Sequence, residues 1–431
     1  MKLLIIGAGP GGYETAVEAA KRGLEVTLIS EGALGGTCLN EGCIPTKTFC
    51  HYAELIEQNL KAGLDCKPSF AAVAERKQTV IEQLRGGIDM LLKNIQVVRG
   101  KAQFKDSKTV VCDGKEYTAD KIIIATGSVS ASLPIAGAES CLTSKEILDL
   151  TEVPESLCVI GGGVIGLEFA SIFRSFGSEV TVLEFCPNIL PHFDVDLSKR
   201  LKQSLTKRGI NIEVQAQVTA IDGNTVTYVK KDKEFTVQAD KILMAVGRRP
   251  NTDGLNLEAA GIDYTRKGIT VNDRFETSVP GIFAVGDVTG GIMLAHAATY
   301  QGLHALNCIC GQQDSIRFDL IPAAVFTMPE VAMVGLTEEQ CKEQGLQVRC
   351  LKSFYRANGK AVSMDETDGY CKLIVSENGV ILGAHLMGAH ASDLIHEIAA
   401  VMNINGTLEQ LRYVIHAHPT LSEVLQAAIH N

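Results

Sequence analysis

Short unbroken apolar runs, each closed by glycine or another small residue, set the rhythm of this chain. Leu3-Leu4-Ile5-Ile6 runs into Gly7, and Ile122-Ile123-Ile124 runs into Ala125-Thr126-Gly127. Ile242-Leu243-Met244-Ala245-Val246 ends at Gly247, and Ile282-Phe283-Ala284-Val285 ends at Gly286-Asp287. Apolar runs of this length, without polar alternation, predict strands buried on both faces. Residues 42–61 and 69–93 carry helical periodicity and precede strands near 97–125. From about Leu320 onward, strand patterns such as Gly379-Val380-Ile381-Leu382-Gly383-Ala384 alternate with helices. One helix is expected over about Ala391 to Met402, and an apolar one over Leu421 to Ile429.

The rhythm repeats itself. Ile6-Gly7-Ala8-Gly9-Pro10-Gly11-Gly12-Tyr13 is matched by Ile160-Gly161-Gly162-Gly163-Val164-Ile165-Gly166-Leu167. The same offset carries Gly23 onto Gly177 and Glu25-Val26-Thr27 onto Glu179-Val180-Thr181. Each copy reads strand, glycine turn, helix, strand, so the chain is expected to hold two dinucleotide-binding units. In each, the first glycine makes the turn, the second admits a pyrophosphate, and the third lets the helix pack on the strand. Glu184 ends the second strand of the second copy, placed to accept hydrogen bonds from an adenosine ribose. Phe185-Cys186-Pro187 follows, with no arginine for a 2′-phosphate, which favours NAD over NADP. In the first copy Ser30 stands at that position and the acid is Glu31. Either the strand end is slipped by one residue or Ser30 shares the ribose contact.

Composition narrows the class. A chain of 431 residues is expected to form more than one domain. With 46% apolar and 21% charged residues it reads as globular. A net charge of −10 without a long basic run disfavours nucleic acid. No apolar stretch approaches the length of a membrane span, and the start reads as a first strand rather than a targeting peptide. A cytoplasmic protein is expected. Thirteen cysteines are scattered and odd in number. In a reducing cytosol Cys66, Cys112, Cys141, Cys158, Cys186, Cys341, Cys350 and Cys371 read as small core residues. Cys308-x-Cys310 has the form of a redox or metal pair, but no second pair accompanies it, so it too reads as ordinary.

Cys38 and Cys43 are different, because of the run Gly35-Gly36-Thr37-Cys38-Leu39-Asn40-Glu41-Gly42-Cys43-Ile44-Pro45-Thr46-Lys47. Their spacing is poor for a zinc knuckle. It suits two sulfurs brought together at a distorted helix start, where a disulfide opens and closes. A helix beginning near Cys38 favours a thiolate. Near the other end, His416-Ala417-His418-Pro419-Thr420-Leu421-Ser422-Glu423 places His418 before a helix expected to start at Pro419-Thr420. Glu423 is placed to reach back and orient the imidazole as a base for thiol chemistry.

Together these segments resemble the FAD-dependent pyridine nucleotide–disulfide oxidoreductases over essentially the whole length. The resemblance rests on both glycine turns, the Cys38–Lys47 run, Ala125-Thr126-Gly127, Gly286-Asp287, Leu294-Ala295-His296 and the final His-Pro-Thr segment. It implies an α/β fold with two Rossmann-like domains, for FAD and NAD, and a C-terminal α+β dimerisation domain. The expected boundaries are 1–128 with 246–315 for FAD, 129–245 for NAD, and 316–431 for the interface. Gly7, Gly9 and Gly12 then hold the FAD pyrophosphate, with Glu31 near its ribose. Thr126 and Gly127 line the flavin site, Asp287 binds the ribityl chain, and Ala295 and His296 flank the ring. Gly161, Gly163, Gly166, Glu184 and Gly247 serve the second nucleotide. Lys47 lies near the flavin N5 and pairs with Glu168. Cys38 meets substrate and Cys43 exchanges electrons with flavin. His418, supported by Glu423, comes from the other subunit of a homodimer.

Within the family the chain looks like the members that oxidise dihydrolipoamide with NAD. Their partner is a lipoyl-bearing protein of a 2-oxo acid dehydrogenase or glycine-cleavage complex. The alternative is a related NAD(P)H-dependent reductase of another low-molecular-weight disulfide. Mercuric reductases resemble the chain too, but carry a C-terminal cysteine pair, whereas the last cysteine here is Cys371. A binding protein on an inactive scaffold fits poorly with intact Cys38, Cys43, His418 and Glu423.

Overall fold

The structure is a computed structural model that describes residues 1–430; Asn431, the last residue of the expected interface domain, lies outside the described residues. The chain divides into two compact units. The first comprises Met1–Thr48, Ala74–Ala131 and Gly247–Ile316. Its centre is a five-stranded parallel sheet in the order Ile282–Ala284, Lys121–Ile124, Lys2–Ile6, Glu25–Ser30, Gln96–Arg99. The apolar runs at Leu3–Ile6 and Ile122–Ile124 are inner strands, and the one at Ile282–Ala284 is an edge strand. Because side chains alternate faces, Leu3, Ile5, Leu28 and Ile123 enter one core cluster, and Leu4, Ile6, Ile29, Ile122 and Ile124 enter another. The first cluster is covered by the helices Pro10–Lys21 and Ala295–Ile309, through Ala16, Ala19, Ala305 and Leu306. The second is covered by the antiparallel strands Ala102–Phe104, Thr109–Cys112 and Lys115–Thr118.

The second unit comprises Phe49–Val73, Ser132–Val246 and the chain from Arg317 onward. It contains a four-stranded parallel sheet ordered Ile210–Val214, Glu179–Glu184, Ser156–Ile160, Lys241–Met244. This repeats the inner order of the first sheet. It also contains a five-stranded antiparallel sheet ordered Ala323–Val325, Val331–Gly335, Ile381–Met387, Tyr370–Ser376, Val348–Phe354. The helices Ala391–Asn403 and Glu423–His430 contribute Ile395, Ile398, Val424 and Leu425 to the core on that sheet. Among the described residues no helix is long and apolar enough to cross a membrane.

Two features of this division have local causes. The segment Phe49–Val73 joins the second unit because Phe49 packs edge-on with Phe176, and Phe70 packs with Phe173 and Phe176, on the helix Val164–Phe176. Glu57 adds an ion pair with Arg208 at 2.6 Å. The second nucleotide sheet and the C-terminal sheet fall in one unit, not two, around Lys372. That side chain is 1% exposed and reaches Asp194 at 2.8 Å and Glu338 at 2.5 Å. A buried cation of this kind persists only while its carboxylates stay in place. Arg208 also donates to the Met328 carbonyl.

The C-terminal helix begins at Glu423, later than Pro419-Thr420. The Thr420 N–H is taken by the Glu423 carboxylate at 2.8 Å and its hydroxyl by the Ala417 carbonyl at 2.7 Å. These bonds fix a turn where a helix was expected. Of the cysteines expected in the core, Cys112, Cys158, Cys341 and Cys371 are buried and Cys141, Cys186 and Cys350 are partly so, but Cys66 is exposed. It lies in the stretch between the helices Cys43–Lys61 and Phe70–Leu91.

Candidate active site

The segment Gly35–Lys47 lies directly on the first glycine turn. Gly35 and Gly36 both take left-handed backbone, with φ 89° and 59°. A Cβ on Gly36 would sit 2.6 Å from the Gly9 Cα, so only glycine allows this approach. The Gly35 N–H donates to the Ala8 carbonyl at 2.9 Å. The short helix Gly36–Glu41 then carries Cys38, and a new helix opens on Cys43 and runs to Lys61. A helix near Cys38 and helical periodicity from residue 42 were both expected; the two helices are separated at Gly42 by a non-helical residue (φ −144°, ψ −112°). Asn40 braces the first, donating to the Leu34 and Gly36 carbonyls at 2.9 and 2.8 Å. Its own side-chain oxygen accepts from Arg85 at 2.5 Å.

The break at Gly42 turns the two sulfurs toward each other. Both are free thiols, Cys38 partly buried and Cys43 exposed. The Cys38 thiol hydrogen-bonds the Cys43 sulfur. That bond, followed by burial, pushes the Cys38 thiol far above its ordinary range, against the lowering charge of Lys47. The two thiols are thus close enough to share a proton, as expected of a pair that interconverts between dithiol and disulfide.

Arg248 faces the Cys43 side, a role the sequence pattern did not single out. Burial lowers its guanidinium, and the negative charges of Asp287, Cys43 and Glu41 oppose that shift. Arg248 donates to the Ser128 hydroxyl at 2.7 Å and to the Ser128 carbonyl at 2.8 Å. The Ser128 hydroxyl in turn donates to Asp287. Strand pairing of Arg248–Pro250 with Ser128–Ser130 sets up this chain. Beside it, Thr126 donates to the Asn251 carbonyl at 2.7 Å, and the Asn251 N–H donates to the Gly127 carbonyl at 2.9 Å. The Gly247 carbonyl accepts the Ala131 N–H at 3.0 Å. Asp287 sits in a 3₁₀ turn fixed by Gln301, which accepts the Gly286 N–H at 2.7 Å. Ala295 and His296 open the helix Ala295–Ile309, with His296 exposed. The first unit thus gathers Cys38, Cys43, Lys47, Thr126, Gly127, Asp287, Ala295 and His296.

The two glycine turns match atom for atom in their constraints. A Cβ on Gly12 would lie 1.9 Å from the Gly7 carbonyl oxygen, and one on Gly166 would lie 2.1 Å from that of Gly161. At Gly9 and Gly163 a Cβ would meet nothing within 4 Å. Each of these glycines caps a helix that has no side-chain acceptor at its start. An open, glycine-lined approach to an uncapped helix N-terminus fits a dinucleotide diphosphate in both places. Gly166→Ala should therefore lower stability by roughly 1–3 kcal/mol through backbone overpacking. Gly163→Ala should leave the melting temperature unchanged but raise the KM for NADH by roughly ten-fold. Thermal denaturation and NADH titration check the pair, and an unchanged KM in Gly163→Ala would overturn the assignment of that turn.

Glu184 is buried, and its two carboxylate oxygens accept the Gly162 N–H at 2.5 Å and the Cys186 N–H at 2.6 Å. Each oxygen retains lone-pair capacity for a ribose hydroxyl. In the first copy the strand is not slipped. Lys2 pairs with Glu25 as Ser156 pairs with Glu179, so Ser30 holds the Glu184 position. Ser30 is buried and donates to the Gly32 carbonyl at 3.0 Å, while Glu31 is exposed beyond the strand.

The remaining predicted residues lie in the second unit. Glu168 is buried and accepts the Phe326 N–H at 3.0 Å. His418 Nδ1 lies 2.9 Å from Glu423, and the His418 side chain is 78% exposed. The bond from the Thr420 N–H, with that from His418, holds the Glu423 carboxyl below its usual range. Since a carboxylate only accepts, the proton sits on Nδ1 and Nε2 offers a lone pair to solvent.

Known proteins share this architecture. Residues 1–302 match the family model described as pyridine nucleotide-disulphide oxidoreductase, and residues 321–429 match its dimerisation domain. A dihydrolipoyl dehydrogenase of Geobacillus stearothermophilus is 42% identical, covering 99% of this chain and 94% of the relative. One from Bacillus subtilis (strain 168) is 43% identical, covering 99% and 95%. Among solved structures, LpdA from Mycobacterium tuberculosis superposes with a TM-score of 0.91 at 30% identity, covering 100% of this chain and 99% of that one. The HOCl-induced flavoprotein disulfide reductase RclA from Escherichia coli gives 0.90 at 33%, with the same coverage.

Proposed function

Because the chain belongs to the pyridine nucleotide-disulphide oxidoreductases, we propose that Cys38 and Cys43 are its redox pair and that His418 is its base. The enzyme uses FAD and NAD, and it oxidises dihydrolipoamide to lipoamide with reduction of NAD to NADH. The observation that carries the residue assignment is the Cys38–Cys43 hydrogen bond on the segment locked to the first glycine turn.

His418 takes a proton from a dihydrolipoyl thiol, and the resulting thiolate attacks Cys38 of the Cys38–Cys43 disulfide. A mixed disulfide forms at Cys38 and Cys43 leaves as the thiolate. The second lipoyl thiol gives up its proton as its sulfur closes the lipoamide ring, and the released Cys38 takes that proton. Bound FAD would supply the two-electron relay between the reduced Cys38–Cys43 pair and NAD. Gly7, Gly9 and Gly12 would hold its diphosphate, Ser30 and Glu31 would bracket its ribose, and Asp287 would take its ribityl chain. Gly161, Gly163, Gly166 and Glu184 hold NAD.

The lipoyl group arrives on a separate protein of a 2-oxo acid dehydrogenase or glycine-cleavage complex. The matched dimerisation domain and the exposure of His418 support a homodimer in which His418 serves the partner's thiol pair. The scattered, odd-numbered set of thirteen cysteines suits a reducing compartment, and a cytoplasmic location follows from that reading.

One assay tests the reading. Purified protein should be yellow and should oxidise NADH with lipoamide as acceptor, with NADPH a poor substitute. Turnover of glutathione disulfide with NADPH, and none of lipoamide, would overturn it.

A further inference from the structure

Cys308-x-Cys310, which reads as ordinary in sequence, belongs to a side-chain cluster that the reaction above does not use. Cys308 lies in the last turn of the helix Ala295–Ile309. One turn earlier on the same face, His304 points its Nε2 at the Cys308 sulfur, 3.7 Å away. The other ring nitrogen, Nδ1, lies 2.9 Å from both carboxylate oxygens of Asp314. Those oxygens only accept, so Nδ1 carries the proton and Nε2 presents a lone pair to the thiol. Asp314 is itself held, by Asn307 at 2.7 Å and by the Ile316 N–H at 3.2 Å. Burial alone would raise its carboxyl, but these bonds and His304 keep it below its usual range.

The helix end completes the electrostatics. Carbonyls at a helix C-terminus disfavour a thiolate and favour a cation. The charge of a proton passed from Cys308 to His304 comes to rest against the Asp314 carboxylate. Arg274 offsets the carbonyls by donating to that of Cys308 at 3.3 Å, and Arg22 donates to Asn307 at 2.7 Å. The edge of Phe275 packs against the imidazole at 5.9 Å. A thiol, a base aimed at it and a carboxylate that sets the base's tautomer together make a nucleophile.

We propose that Cys308 is a second nucleophilic thiol, activated by His304 and positioned Asp314, that forms mixed disulfides with low-molecular-weight disulfides. His304 takes the Cys308 proton, and the thiolate attacks one sulfur of R–S–S–R. The S–S bond breaks, Cys308–S–S–R forms, and the departing RS⁻ takes the proton back from His304. Cys308 is oxidised and half of the disulfide is reduced to thiol. Cys310 does not close on the adduct, because residues two apart at a helix end do not face each other.

The test uses the full-length, flavin-loaded protein and 5,5′-dithiobis(2-nitrobenzoate), with each cysteine's modification rate followed by peptide mass spectrometry. Cys308 should react at least about ten-fold faster than the exposed Cys66. His304→Gln should bring it down to the Cys66 rate and Asp314→Asn should slow it several-fold, with Cys66 itself unchanged. Cys308→Ser should retain full lipoamide turnover, separating this thiol from the main reaction. A wild-type Cys308 no faster than Cys66 overturns the proposal without any variant having to fold. So does a fast Cys308 that is indifferent to His304→Gln.

Discussion

Cys38→Ser should bind flavin in full and turn over lipoamide at least about 10³-fold more slowly than wild type, a loss of about 4 kcal/mol. The two halves of that result have separate physical origins. The placement of the segment rests on the lock between the Gly35 N–H and the Ala8 carbonyl and on the Asn40 brace, and neither uses a sulfur. Turnover rests on a sulfur that can form and release a mixed disulfide, which a hydroxyl cannot do. Cys43→Ser should be equally inactive, but its remaining thiol should behave differently. The largest cause of the raised Cys38 titration is its bond to the Cys43 sulfur. With that sulfur replaced, the Cys38 thiolate forms at lower pH and alkylation by iodoacetamide near pH 8 should speed up relative to the reduced wild-type enzyme. Flavin absorbance, steady-state turnover and mapped alkylation rates read all three effects. Loss of flavin from Cys38→Ser would make the cysteine structural, and an unchanged Cys38 alkylation rate in Cys43→Ser would mean that the two sulfurs do not share a proton.

The parts of this molecule legible in its sequence are those fixed by contacts close along the chain. A glycine turn is one: the Gly12 clash with Gly7 and the Gly166 clash with Gly161 span five residues, so the spacing itself records the constraint. The His418–Glu423 bond is another, because both groups lie on one turn. The link from Arg248 through Ser128 to Asp287 is of the opposite kind. Its members are 120 and 159 positions apart, and nothing local marks Ser128 as their meeting point. The division of the fold shows the same limit. Phe49–Val73 has a helical pattern of its own, but the unit it joins is decided by rings at Phe173 and Phe176. Cys308, His304 and Asp314 are near neighbours in sequence. In sequence the Cys308-x-Cys310 pair is set aside for want of a second pair, whereas the histidine that faces Cys308 lies one helical turn back. The Ser30 question was open in sequence because strand register is not local. Pairing of Lys2 with Glu25 settles which residue ends the strand.

His418→Gln should reduce lipoamide turnover by roughly 10²–10⁴-fold with flavin content unchanged, as expected for loss of a positioned base. Glu423→Gln should come close to it, for a reason found in the geometry. The Thr420 N–H is a fixed backbone donor at 2.8 Å, so the amide must offer it the oxygen. Its NH₂ group then faces His418 Nδ1 and forces the proton to Nε2, the nitrogen that must accept. In the wild-type enzyme Glu423 stays ionised well into the acid range, because its carboxyl is held below the ordinary value by Thr420 and His418. A depressed carboxyl contributes above its unfolded value and loses that contribution only as pH falls through the lower, folded one. Wild-type turnover between about pH 5 and 8 should therefore show no ionisation that Glu423→Gln removes. The base's origin is tested by mixing. Cys38→Ser and His418→Gln homodimers, inactive alone, are dissociated and re-formed together in equal amounts. If His418 serves the partner subunit, each mixed dimer holds one site with both groups intact, and statistical re-association restores roughly a quarter of wild-type activity. If His418 serves its own chain, every site in the mixture lacks one group and no activity returns.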